Sequence, residues 1–168
     1  VRCISNENIY ALDLGIHAAK NLFDKNNIDP TNIDFLIFCT QSPDRTLPSG
    51  SAIIQDKLNL KTTTGAIDIN QGCSGYIYSL FVAFSILKTN IYNNILVITA
   101  DTYSKYLKSS DKSNKSIFGD GASATLVNRD NFNFIDFSLG TDGAGAENLV
   151  AHNSALKKSK SFEAPELY

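Results

Sequence analysis

Apolar positions along the chain follow two rhythms, one helical and one of continuous runs. Ile9, Leu12, Ile16, Ala19 and Phe23 recur at helical spacing with Leu22 beside them, which predicts an amphipathic helix over 6–27. Asn6 or Asn8 is positioned to cap its start, and His17, off the apolar stripe, is expected to form an exposed ion pair with Asp13. Asp29-Pro30-Thr31 reads as a turn. Ile33 to Thr40 (IDFLIFCT) is almost continuously apolar, as in a strand covered on both faces of a parallel sheet, and Cys39 falls inside it as a core residue. The loop Gln41 to Leu47 is polar, and Pro48 can open a helix from Ser49 to Leu58.

The next apolar strand, Ala66 to Asn70, ends in Gln71-Gly72-Cys73-Ser74-Gly75, after which the pattern changes. From Tyr76 to Leu87 apolar residues occupy every side of the helical wheel, interrupted only by the small polar Ser79 and Ser85, and no residue is charged. Such a helix belongs in the middle of a protein, being too short to span a membrane. Asn93 to Ala100 (NNILVITA) predicts a further buried strand. A polar stretch with a short helical segment follows over Asp101 to Asp111. Asp120-Gly121 reads as a tight-turn pair feeding a strand, Ala122 to Asn128, with a second strand over Asn133 to Leu139 returning through a turn at Arg129 to Asn131. Thr141 to Gly145 reads as a loop, and 152–168 as a polar, lysine-rich tail or linker. Alternating strands and helices without a dividing linker predict one α/β domain over 1–168, its mixed, mostly parallel sheet carrying a buried central helix.

Composition narrows the function classes. The chain has 43% hydrophobic and 19% charged residues, globular values, and a net charge of -2 gives no basis for nucleic-acid binding. No membrane span is expected. Three cysteines, Cys3, Cys39 and Cys73, lie too far apart for a metal-ligand spacing and suit a reducing, cytoplasmic compartment. The chain contains no methionine, so Val1 is expected to be an internal or processed start.

Candidate chemistry centres on Cys73, where a strand ends and a helix begins. The first N–H groups of a helix lack internal partners and carry partial positive charge, which favours the nucleophilic thiolate over the thiol. Gly72 and Gly75 leave room beside the sulfur and permit an unusual turn conformation. A buried structural cysteine fits the same spacing, so position alone leaves both roles open. Lys105, Lys108, Lys112 and Lys115 make a basic stretch that suits either a solvated loop or a rim for an acidic or phosphate-bearing partner. Phe118 to Ala124 is glycine-rich but lacks the Gly-Lys-Ser/Thr ending of a phosphate loop.

The segment Asp68-Ile69-Asn70-Gln71-Gly72-Cys73-Ser74-Gly75-Tyr76 resembles the nucleophile turn of β-ketoacyl-acyl-carrier-protein synthase III, a thiolase-fold condensing enzyme. Ile117-Phe118-Gly119-Asp120-Gly121-Ala122-Ser123-Ala124 resembles a second signature of that family. The resemblance runs from about Glu7 to Gly145 and implies the amino-terminal half of a chain roughly twice as long. It implies that Cys73 accepts an acyl group from acyl-coenzyme A or an acyl carrier protein and that malonyl-acyl-carrier protein is the second substrate. It further implies that Phe118 lies at the substrate site, that Leu47 matches an aromatic residue crossing a homodimer interface, and that Lys112 matches an arginine stacked on adenine. No cofactor or metal is implied. The resemblance assigns the enolate-stabilising histidine and asparagine to the missing half, since neither His17 nor His152 sits in a matching motif. One half alone is expected to leave an apolar helix face uncovered, and a homodimer is expected across the sheet edge carrying the Asn93 strand. The alternatives are a noncatalytic thiolase-like module that binds a partner or acyl chain, or another acyl-transferring enzyme of the same fold.

Overall fold

The computed structural model describes residues 2–108, 110–131, 136–152, 154 and 166–167. In chain order they form α1 (Ala11–Asn26), β1 (Phe35–Cys39), α2 (Gly50–Lys57), β2 (Gly65–Ile69), α3 (Gly75–Leu87), β3 (Asn94–Thr102), α4 (Lys112–Ile117) and β4 (Asp120–Asn128), followed by β5 (Ala151–His152) and β6 (Glu166–Leu167). The main sheet runs β2-β1-β3-β4: β1 pairs in parallel with β2 and β3, and β4 closes the far edge antiparallel to β3. β5 and β6 pair with each other antiparallel.

Side chains alternate across a strand, so the apolar runs of β1 and β3 feed two cores. Leu36 and Phe38 of β1 join Leu96, Ile98 and Ala100 of β3 beneath α1 and α2, together with Ala11, Leu12, Ala19, Phe23 and Ile54. Ile37, Ile95 and Val97 point to the opposite face and pack with Ala83 and Leu87 of α3. The sheet is thus covered by α1 and α2 on one side and by α3 on the other, in three layers.

Four expectations are corrected. The first helix begins at Ala11 rather than near Asn6, because Asn6 to Ile9 forms a turn closed by Ile9 N–H donating to Asn6 O at 3.0 Å. The Asp13 carboxylate accepts from the Tyr10 N–H at 3.0 Å at that helix start rather than pairing with exposed His17. Asp120-Gly121 is no reverse turn: both residues are extended in β4, opposite Thr102 and Asp101. The Asn93 strand, β3, lies inside the sheet between β1 and β4, so the free edges are β2 and β4. Part of the expected strand over Asn133 to Leu139 lies outside the described residues, and Asp136–Leu139 carries no strand. Most of the expected tail after His152 is likewise outside them.

Helix α3 is buried along only one stripe. Gly75, Ser79, Ala83 and Leu87, spaced by four, face the sheet. Tyr76, Ile77 and Phe81 are 40–47% exposed, as the half-molecule expectation requires. Two carboxylates tie the layers together. Asp68 of β2 accepts from the Gly50 and Ser51 N–H groups at 2.7 Å each, satisfying two unpaired donors at the start of α2. Asp120 accepts from the Ser5 N–H and hydroxyl and from the Ser104 N–H and hydroxyl at 2.6–2.9 Å, holding the irregular amino-terminal segment to the turn after β3.

These two ties give two expectations. Asp68→Ala should destabilise the chain by about 1 kcal/mol, the usual cost of losing a helix cap, read as a lower urea midpoint; an unchanged midpoint would show that α2 does not depend on β2 for its start. Burial opposes ionisation of Asp120, but hydrogen bonds from Ser104 and Ser5 outweigh it and hold its carboxyl below the ordinary carboxylate value. A depressed folded value gives stability that is present above the unfolded value and lost as pH falls through the folded one. The stability gap between the parent chain and Asp120→Ala should therefore be largest at neutral pH and close below about pH 4. Urea unfolding at pH 7 and pH 3 measures it, and a gap that widens in acid would contradict the assignment.

Candidate active site

Parallel strands bring their carboxyl ends to one side of a sheet, where clefts form between the outgoing loops. Here β1 ends at Cys39, β2 runs out into Gln71-Gly72-Cys73, and β3 ends near Asp101. These three exits line one cavity of about 450 Å³, closed by Tyr76 of α3, by Tyr103 and by Phe118. Cys73 is exposed at this cavity, two residues before α3 begins, with Ser74 as the helix cap. The Gly75 N–H donates to Gly72 O at 2.8 Å and closes the turn beneath it.

The glycines of this turn provide space rather than unusual backbone, since no glycine among the described residues has positive φ. A Cβ on Gly75 would lie 2.5 Å from Cys39 Sγ, so only glycine lets the first turn of α3 approach β1. A Cβ on Gly72 would fall on the Gln41 side-chain oxygen.

Cys39 is 3% exposed and its thiol donates to Gln71 O at 3.4 Å. Burial pushes that thiol up from its ordinary value, with Asp101 adding to the effect and the nearby polar groups of Ser79 and Gln71 opposing it. Thiolate is therefore scarce at Cys39, which makes it a poor nucleophile. The Ser79 hydroxyl, buried one turn along α3, has no hydrogen-bond partner among the described residues at ordinary bonding distance.

Asp101 organises the far wall. One carboxylate oxygen accepts from the Thr40 hydroxyl at 3.1 Å, the Gln41 N–H at 2.8 Å, and the Ser42 N–H and hydroxyl at 3.0 and 2.8 Å. Burial raises its carboxyl despite these bonds. Tyr103 stacks on Phe118 with ring centroids 5.0 Å apart and donates its hydroxyl to Gln41 Oε1 at 2.6 Å. Burial, followed by the charge of Asp101, raises the Tyr103 phenol, so it stays protonated as a donor.

Of the residues singled out from sequence, Cys73 and Phe118 meet at this cavity, and Leu47 and Lys112 do not line it. Leu47 is 85% exposed before α2, and Lys112 is exposed at the first position of α4. Lys105 and Lys115 line a separate cavity of about 300 Å³ that shares Phe118 as a wall. His17 and His152 stand away from both cavities. Gln41, Asp101 and Tyr103 were not anticipated; their signal was their place just past the carboxyl ends of β1 and β3. Among the described residues no cluster of His, Cys, Asp and Glu could hold a metal ion, and no helix is long and apolar enough to cross a membrane.

Comparison with known proteins agrees with this geometry. Residues 67–143 match the family model described as 3-Oxoacyl-[acyl-carrier-protein (ACP)] synthase III. The chain is 39% identical over 150 residues to a β-ketoacyl-[acyl-carrier-protein] synthase III of Staphylococcus epidermidis, covering 88% of this chain and 46% of that protein. It is 35% identical over 156 residues to the β-ketoacyl-[acyl-carrier-protein] synthase III of Caldanaerobacter subterraneus, covering 92% of this chain and 47% of that one. A crystal structure of a 3-oxoacyl-(acyl-carrier-protein) synthase III superposes with a TM-score of 0.91 at 38% identity, covering 99% of this chain and 55% of the other. The corresponding protein of Thermus thermophilus superposes with a TM-score of 0.86 at 29% identity, covering 99% and 52%. The chain spans about half the length of the curated relatives it matches, which fits one half of a thiolase-fold molecule. Over this half it is similar to proteins of the 3-oxoacyl-[acyl-carrier-protein] synthase III family.

Proposed function

We propose that this chain is the nucleophile-bearing half of a condensing acyltransferase, with Cys73 as the residue that carries the acyl group. The observation that supports the reading is the seating of Cys73: exposed, at the start of an apolar helix, and facing a cavity walled by Phe118 and Tyr103. The Cys73 thiolate attacks the carbonyl carbon of an acyl thioester; the carbon–sulfur bond to coenzyme A or the carrier breaks, and the departing thiolate takes up a proton. Malonyl-acyl-carrier protein then loses carbon dioxide, its enolate carbon bonds to the acyl carbonyl carbon, and Cys73 leaves as thiolate. Splitting the reaction through a covalent thioester is nucleophilic catalysis.

The second step needs donors for the enolate, and this sequence carries only His17 and His152, neither at the cavity. The complementary half would supply the histidine and asparagine and cover Tyr76, Ile77 and Phe81 of α3. A homodimer, as the resemblance implies, would use one of the free edges, β2 or β4. A basic rim from Lys105, Lys108, Lys112 and Lys115 suits an acidic carrier or the phosphates of coenzyme A, with Leu47 at the partner interface and Lys112 as the adenine contact. A reducing, cytoplasmic setting keeps the three free cysteines as thiols.

Incubated with acyl-coenzyme A and malonyl carrier, the chain should gain one acyl mass at Cys73, lost in Cys73→Ser, and release no β-ketoacyl product. Each missing transition-state donor is worth about 10²–10³ in rate. Acylation elsewhere, or rapid condensation by this chain, would overturn the division of roles. Light scattering should find the chain paired or associated through its exposed α3 face, and a stable, monodisperse monomer would contradict that expectation.

A further inference from the structure

Resting on Cys73 as the nucleophile, we infer that Gln41 is a positioning residue that holds the Gly72–Cys73 turn in its working conformation. Gln41 follows β1 and is fixed at three points by the segment that leaves β3. Its N–H donates to Asp101 Oδ1 at 2.8 Å, its side-chain oxygen accepts from the Tyr103 hydroxyl at 2.6 Å, and its carbonyl accepts from the Tyr106 hydroxyl at 3.3 Å. A residue tied at backbone and side chain has little freedom to yield. The free end of its side chain lies where a Cβ on Gly72 would stand. Gly72 therefore has Gln41 on one side, while its own carbonyl is taken by the Gly75 N–H that opens α3. Gly72, the residue before Cys73, thus lies between the β1 exit loop and the helix start.

The clamp acts through orientation. Cys73 lies two residues before α3, and a helix favours negative charge only around its first turn, so a shift of the Gly72–Cys73 turn moves the sulfur relative to that end. The titratable groups that line the same cavity are Cys39 from β1, Tyr76 from α3, and Asp101 and Tyr103 from the end of β3; none is cationic. Among the described residues no positive side chain lines the wall, so the orientation of the turn toward the start of α3 is the means this chain has of favouring thiolate, and Gln41 holds that orientation.

The test is the rate of Cys73 alkylation by iodoacetamide from pH 6 to pH 10 on the 168-residue chain, with each cysteine followed by peptide mass. Cys39 serves as the internal fold reporter, since it labels only when the structure opens. Gln41→Ala should slow Cys73 at neutral pH roughly three- to tenfold and move the midpoint of its pH profile upward. Gly72→Ala should do the same by pushing Gln41 aside, and adding it to Gln41→Ala should change little further, because the two share one contact. If Gln41→Ala exposes Cys39, the comparison passes to Tyr103→Phe, which removes the hydrogen bond alone and should shift the profile in the same direction by less. An unchanged rate and midpoint in Gln41→Ala and Tyr103→Phe, or strictly additive effects of Gly72→Ala and Gln41→Ala, overturns the inference. Acyl transfer to Cys73 in the parent chain, measured separately, distinguishes this failure from failure of the nucleophile assignment itself.

Discussion

The structure depends on how closely α3 can lie on β1. Gly75 sits so near Cys39 Sγ that even a methyl group would have to displace sulfur. From that contact the stripe Gly75, Ser79, Ala83, Leu87 continues down the helix, small residues first and a larger one last. Dispersion contacts fall off steeply with separation, so a helix seated on small residues keeps its axis close to the sheet. The close axis carries the turn before it, and with it Cys73, down to the ends of the strands. The placement of Cys73 is in this sense a packing outcome, set on the buried side of the helix rather than at the thiol.

Two carboxylates make that packing directional. Asp68, in β2 just before the Gln71–Gly75 turn, fixes the start of α2. Asp101 leaves β3 and gathers the β1 exit loop through four hydrogen bonds to one oxygen. Both serve loops that would otherwise hold unpaired N–H groups near the cavity. Neither acts on a substrate in the proposed chemistry; they hold the loops at the cavity's edge at one spacing.

Much of this was legible in the sequence. Unbroken apolar runs marked β1 and β3 as strands buried on both faces, and the change of rhythm at Gln71 to Gly75 marked the turn that lines the cavity. What the one-dimensional pattern lacked was partner information. It cannot say that Asp120 binds Ser5 and Ser104, so Asp120-Gly121 looked like a turn when it is a strand start. It cannot say that Asn94–Thr102 is flanked on both sides, so an inner strand was taken for an edge. Gln41 and Tyr103 are ordinary loop residues until the fold sets one against the other. The apolar outer face of α3 is expected from the sequence to be left uncovered, and Tyr76, Ile77 and Phe81 are exposed in this chain.

The central claim is that the seating of α3 on β1 sets the reactivity of Cys73, and Gly75→Ala addresses it most directly. The measurement is time-resolved labelling of Cys39 and Cys73 in that variant beside the parent chain. In the parent, Cys73 should label first while Cys39 stays protected. The added methyl should lift the first turn of α3, so that Cys39 becomes labelled and Cys73 slows in the same variant. Identical labelling of both cysteines in the two proteins would show that the close approach is incidental and that Cys73 owes its position to something else.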